Sequence, residues 1–144
     1  MKAAAYVGIL GVLVVIGTVG AHGQSLKLRQ LEQKQEEVLA ADVERTNKTC
    51  AANFTVKFDW NAAPAAELEK YDAEGYCDNA LSGIRRVCSD PAGREAVKQK
   101  IKSMTCGFGA ERSISLEDGV LAYKINFTSV NDDDFVFEFR QNNL

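Results

Sequence analysis

The sequence predicts an α+β domain: an antiparallel four-stranded sheet with a helical hairpin packed on one face, stabilised by two disulfides. Three observations predict this class. Runs with a period of two occur on both sides of a central region, that central region has helical periodicity, and all four cysteines lie at or beyond Cys50. The net charge of -3 over 144 residues does not favour a nucleic-acid-binding protein, for which a basic excess is expected.

The first 23 residues are organised like a targeting segment. Residues 3–21 carry no charged side chain, and the small residues Ala21 and Gly23 have the spacing of a secretory cleavage site. We predict a signal peptide over residues 1–23. The alternative is a retained transmembrane anchor, because these residues approach the roughly 30 Å that a membrane span requires. Either interpretation places the rest of the chain outside the cytoplasm: secreted or periplasmic, with membrane contact only if the segment is retained.

Residues 24–49 contain neither Gly nor Pro. We predict that they form an N-terminal helical leader, a linker that is helical or partly disordered. Leu28, Leu31 and Val38 approximate a heptad seam. Gln35 and Asp42 occupy the other seam positions, so the repeat is too weak for a coiled coil. We therefore interpret this segment as a solvated leader that precedes a disulfide-stabilised domain of residues 50–144.

An even number of cysteines in an exported chain predicts disulfides rather than a zinc site. Cys77 and Cys88 lie on one predicted helical face, but about 16 Å apart along a continuous helix, which is too far for a bond. A second helix, predicted from residue 91 to Cys106 with Asp90 as its N-cap, would return Cys106 to Cys77. The favoured pairs are Cys77–Cys106 and Cys50–Cys88. A helix broken near Gly83 would instead permit Cys77–Cys88 and Cys50–Cys106.

Four strands are predicted from alternation of apolar and polar residues. One N-terminal strand follows Phe54 to Trp60. A three-stranded C-terminal meander comprises residues 113–116 and 120–128, joined by a turn at 117–119, and a last strand through Phe135, Phe137 and Phe139. Residues 65–71 predict a short acidic helix. One apolar face per strand predicts an antiparallel sheet that packs on the helices.

Few residues could carry catalysis. The only histidine is His22, inside the predicted signal peptide, so Ser-His and Cys-His mechanisms would be lost from the mature chain. Carboxylates at Asp59, Glu67, Glu69 and Asp72 leave a small carboxylate-dependent hydrolase as an alternative. We predict no cofactor and no metal, and interpret the acidic residues 131–134 as a turn rather than a calcium site.

Charge is unevenly distributed. Residues 85–112 hold seven Lys and Arg against three acidic residues, whereas residues 59–78 hold six acidic residues against one Lys. This asymmetry favours binding to a protein or a polyanionic envelope partner. We therefore predict a non-enzymatic exported binding domain, with a membrane-tethered structural subunit of an envelope assembly as a further alternative. The candidate partner-binding basic face comprises Arg85, Arg86, Arg94, Lys98 and Lys102.

Overall fold

The computed structural model describes residues 26–128, 138–139 and 143–144. This part of the chain contains helices and a four-stranded sheet, which confirms the α+β class. Among the described residues, no helix has both the length and the apolar character of a membrane span. The elements are α1 Leu26–Cys50, β1 Thr55–Asp59, α2 Ala65–Leu68, α3 Ala73–Val87, α4 Pro91–Lys100, β2 Ser103–Phe108, β3 Ser113–Glu117 and β4 Val120–Ile125.

The strands form one mixed sheet in the order β1-β2-β4-β3. β1 pairs with β2 and β2 with β4 in parallel, so the predicted antiparallel arrangement is wrong for these two pairs. The predicted hairpin of β3 and β4 is confirmed. Its turn residues Asp118 and Gly119 have φ values of 52° and 84°, as a tight turn between antiparallel strands requires. The predicted strand at 135–139 lies mostly outside the described residues. Within this range the structure describes Glu138 and Phe139, and both are helical.

Strand β2 occupies residues that were predicted to end a helix. Val97, Ile101 and Met104 have helical spacing, yet α4 ends at Lys100 and Ile101 is already extended, with φ -105° and ψ 110°. Beyond it the period changes to two, which buries Met104 and Cys106. The apolar stripe crosses from a helix into a strand. Spacing alone therefore suggested one longer helix and concealed the central strand.

The core lies between the sheet and the helices. The register places apolar residues of adjacent strands side by side, so that together they form one apolar face of the sheet. Two rows make up this face: Val56, Met104, Leu121 and Leu116, then Phe58, Cys106, Tyr123 and Ile114. Helix α1 contacts β1 and α3 contacts β4. The opposite face carries the exposed side chains of Lys57, Asp59 and Lys124.

Helix α1 packs against α3, which differs from the solvated leader predicted for residues 24–49. The α1 side chains of Leu39, Thr46 and Cys50 are all buried. Gln35 accepts a hydrogen bond from the Glu74 N–H, and Thr46 one from Arg85, so contacts pair residues 39 positions apart. This constant offset means that α1 and α3 run parallel. The helix pair that covers the sheet is therefore α1 with α3, rather than the predicted hairpin alone.

Two disulfides link the layers. Cys50 pairs with Cys88 and Cys77 with Cys106, with Cα separations of 5.1 and 6.2 Å. These are the pairs that the cysteine spacing favoured. The reason for the second differs, because Cys106 reaches Cys77 from strand β2 and not from a returning helix. The bonds thus join α1 to the end of α3, and α3 to the sheet.

Gly93 should not tolerate a side chain. It lies in the first turn of α4, where Asp90 accepts a hydrogen bond from its N–H at 2.8 Å. A Cβ at this position would collide with the Val87 carbonyl of α3. We expect Gly93→Ala to lower the free energy of unfolding by about 1–3 kcal/mol, as overpacking does. Urea denaturation monitored by circular dichroism measures this.

Gly75→Ala is the matched control, because a Cβ there would meet its nearest atom, the Cβ of Asp72, at 4.0 Å. An alanine within a helix stabilises it by about 0.5–1 kcal/mol relative to glycine. Equal effects of the two substitutions would contradict the close contact of α3 with α4.

Candidate functional site

Strand β1 is an edge strand whose outward peptide groups follow from the register. Ser103 donates its N–H to the Gly119 carbonyl at 3.2 Å, so alternate residues of β2 direct their peptide groups to β4. The intervening residues of β2 direct their peptide groups to β1, where they bond to Thr55 and to every second residue after it. Val56 and Phe58 therefore point their N–H and C=O groups away from β2, to the open edge.

Asn47 of α1 supports the same orientation independently. Its side-chain amide donates to the Phe54 carbonyl at 2.8 Å and accepts from the Phe54 N–H at 3.1 Å. Both peptide groups of Phe54 thus face the outer edge, and along an extended chain those of Val56 and Phe58 follow. The amide of Asn47 takes the place that a neighbouring strand would occupy at one end of this edge.

A groove of about 700 Å³ runs between the open edge and α1. Leu39 and Val43 contribute apolar side chains from α1, and Val56 contributes one from β1. Glu36 and Glu44 lie on the helix side of the groove. Among the described residues, no strand pairs with β1 on this side. The groove therefore combines unpaired strand geometry with an apolar floor and a rim that carries Glu36, Glu44 and Lys57.

The sequence did not predict this groove, because residues 24–49 were expected to be solvated. One signal does exist. Leu39, Val43 and Asn47 recur every four residues on one helical face, and the alternation of β1 begins soon after, at Phe54. A helix with one apolar face that is followed closely by an alternating strand indicates that the two pack together.

Arg85, predicted to belong to a partner-binding basic face, lies between α1 and α3. Its guanidinium group donates to the Asp78 carboxylate at 3.0 Å and to the Thr46 hydroxyl at 2.9 Å. Only 17% of its side chain is exposed. Thr46 in turn donates to the Asp42 carbonyl at 2.7 Å. Arg85 therefore joins the two helices, and its hydrogen-bonding groups are directed inward.

The other four residues of the predicted basic face are dispersed over α3, α4 and the segment just before β2. Arg94 donates to the Cys88 carbonyl at 3.0 Å, just after α3 ends, and Arg86 is half-buried on α3. Lys98 and Lys102 are exposed beside one shallow depression. Two of the five predicted residues are thus brought together on an open surface.

The four candidate carboxylates do not gather in one pocket. Asp59 is exposed at the end of β1, Asp72 precedes α3, and Glu69 pairs with Lys27 at 2.9 Å. Glu67 lines a cavity beside α2. In the described parts of the chain, no group of His, Cys, Asp and Glu residues is arranged to hold a metal ion. The acidic turn at residues 131–134 lies outside the described residues.

An acidic cluster that was not predicted lies where α1 meets α3. Burial raises the pKa of Glu74 above its ordinary value of 4.5, and the nearby carboxylates of Asp72, Asp42 and Asp78 raise it further. Burial also raises the pKa of Asp42 above 3.8; Asp78 adds to this rise, while neighbouring arginines oppose it. Negative charge at these positions therefore opposes folding at neutral pH.

Removing the charge of Glu74 should stabilise the protein in a pH-dependent manner. The pKa of Glu74 is higher in the folded than in the unfolded state, so its ionisation favours unfolding as pH rises through that range. We expect Glu74→Gln to raise the free energy of unfolding at pH 7, and the gain to shrink as pH falls toward 4.5. Urea denaturation at a series of pH values measures the difference.

Glu69→Gln, which removes the same charge from an exposed side chain, separates this local effect from the change in net charge. A gain for Glu74→Gln that grows as pH falls would contradict the proposed direction.

No protein-family model, no curated protein and no solved structure matches this chain. The described residues form a small α+β domain with two disulfides, in which the open edge of β1 lies beside a groove.

Proposed function

We propose that this protein is an exported, non-enzymatic binding domain that takes up an extended segment of a partner protein as an added strand along β1. The single observation that carries the proposal is the open edge at Val56 and Phe58 inside an apolar groove. Strand addition gives affinity through main-chain hydrogen bonds and specificity through alternate side chains. An edge strand presents these groups without any rearrangement of the sheet.

The groove specifies the chemistry of the bound segment. Every second side chain of an added strand would face Leu39 and Val43, which favours apolar residues at those positions. The intervening side chains would point to the opposite face of the sheet, where β1 exposes Lys57 and Asp59, so polar or charged residues fit there. The proposed partner segment therefore alternates apolar with polar or charged residues.

Export is part of the proposal, supported by the two disulfides, which persist in oxidising compartments. We expect the intact mass of the protein isolated from its native source to match a chain that begins at Gln24. It should also lie four hydrogens below the mass of the reduced form, because two disulfides are present. A full-length chain in the membrane fraction would support the retained anchor instead, and free thiols in cytoplasmic protein would contradict export.

Strand addition can be tested with a nine-residue peptide of alternating Val and Lys. We expect saturable shifts of the Val56 and Phe58 amide signals in NMR spectra when this peptide is added. Val56→Pro removes an outward N–H but no bond to β2, since proline is tolerated on edge strands. It should weaken binding about ten-fold, the effect of losing one main-chain hydrogen bond.

Ile114→Pro is the matched control. By the same register argument Ile114 directs its N–H to the outer edge of β3, the opposite edge of the sheet, so its loss should leave peptide affinity unchanged. A peptide with the same composition, its Val and Lys residues grouped in two blocks, should bind more weakly. Equal binding by both peptides, equal effects of both prolines, or a dimer of this chain that Val56→Pro dissociates would each overturn the proposed partner.

A further inference from the structure

A row of aromatic rings lies at the carboxyl ends of the three parallel strands. β1, β2 and β4 run in the same direction, so residues at their ends meet at one edge of the sheet. The rings of Phe108 and Phe127 are 5.0 Å apart, and Tyr71 stacks on Phe127 at 4.8 Å. Tyr76 contacts Phe127 edge-on at 5.1 Å. Open sheets with parallel strands commonly bind ligands at this edge.

A cavity of about 430 Å³ lies between the rings of Phe108 and Phe127 and helix α2. Phe108, Ile125 and Phe127 give it apolar surface, and Glu67 is the only charged residue among the described residues that line it. The Asn126 side-chain amide, which also lines the cavity, already donates to the carbonyls of residues 109 and 110. The cavity thus offers aromatic rings beside a carboxylate.

We infer that this cavity binds a small alkylammonium group. The face of an aromatic ring carries negative potential and attracts cations, and a carboxylate at the same site adds direct charge complementarity. Residues 59–78, which include Glu67 and all of α2, hold six acidic residues against one Lys, so the surrounding potential is also negative. The site shares no residue with the β1 groove and stands independently of strand addition.

Tetramethylammonium is the probe for a free cation, and N-acetyl-lysine methylamide is the probe for a lysine of a bound peptide. We expect at least one of them to produce saturable shifts of the Phe108 and Phe127 ring protons. Glu67→Gln and Phe127→Leu should each weaken this binding about three- to five-fold, the size of a cation–π or exposed charge interaction. Added salt should weaken it further.

Two controls separate a cation site from general attraction. Glu69→Gln removes a charge two residues from Glu67 but outside the cavity, and should change the affinity by less than about two-fold. tert-Butanol, a neutral molecule of similar shape to tetramethylammonium, should bind more weakly than that cation. The inference is overturned if neither cation saturates, if tert-butanol binds as tightly, or if Glu69→Gln and Glu67→Gln have equal effects. Because Glu67 is not in the core, its variant keeps the test valid even if Phe127→Leu fails to fold.

Discussion

The structure depends on the attachment of α1 to α3. A disulfide between Cys50 and Cys88 closes one end of the helix pair, and near the same end Arg85 of α3 donates to Thr46 of α1 while it pairs with Asp78 of its own helix. The bonds differ in strength. A disulfide that closes a loop of this length contributes about 3–4 kcal/mol in the chain-entropy model, whereas the hydrogen bond from Arg85 to Thr46 contributes about 1 kcal/mol. The covalent link therefore dominates, and Arg85 mainly sets the alignment.

This attachment also shapes both candidate sites. Because α1 is held against α3, it stands beside β1 as the second wall of the groove. The Trp60 indole N–H donates to Glu36 of α1 at 2.7 Å, which joins the far end of β1 to the same helix. Trp60 also stacks on Phe58 at 4.0 Å, and Phe58 contacts Phe108 of the aromatic row. One helix thus supports the groove directly and the aromatic row through Trp60.

The features that local chemistry determines could be predicted from the sequence. The hairpin turn at Asp118-Gly119 and the Asp90 cap of α4 use residues whose conformational preferences are strong. The exclusion of a Cys77–Cys88 bond followed from distances along a helix, whereas the Cys77–Cys106 bond was predicted from a returning helix that is in fact strand β2. The parallel pairing of β1 with β2 could not be predicted, because it joins distant segments and β2 continues an apolar stripe begun at Val97.

The candidate site was missed for a similar reason. The buried face of α1 includes Gln35 and Thr46, polar residues that interrupt an apolar stripe, while Val38 of the supposed seam is 42% exposed. Gln35 and Thr46 are buried because each bonds to α3, a partner that no local pattern reveals. Arg85 of the predicted basic face illustrates the same limit. Its charge was visible in the sequence, but the sequence did not show that Asp78 of its own helix and Thr46 of α1 accept its hydrogen bonds.

The Cys50–Cys88 bond has a kinetic consequence as well. Thr55 and Ser103, the first paired residues of β1 and β2, are 48 residues apart in the reduced chain. Once the bond forms, the route between them runs five residues back to Cys50 and fifteen onward from Cys88, about 20 in all. Shorter loops close with less entropy loss and raise folding rates. Oxidation should therefore promote formation of the sheet, because β1 pairs with β2 faster in the oxidised chain than in the reduced chain.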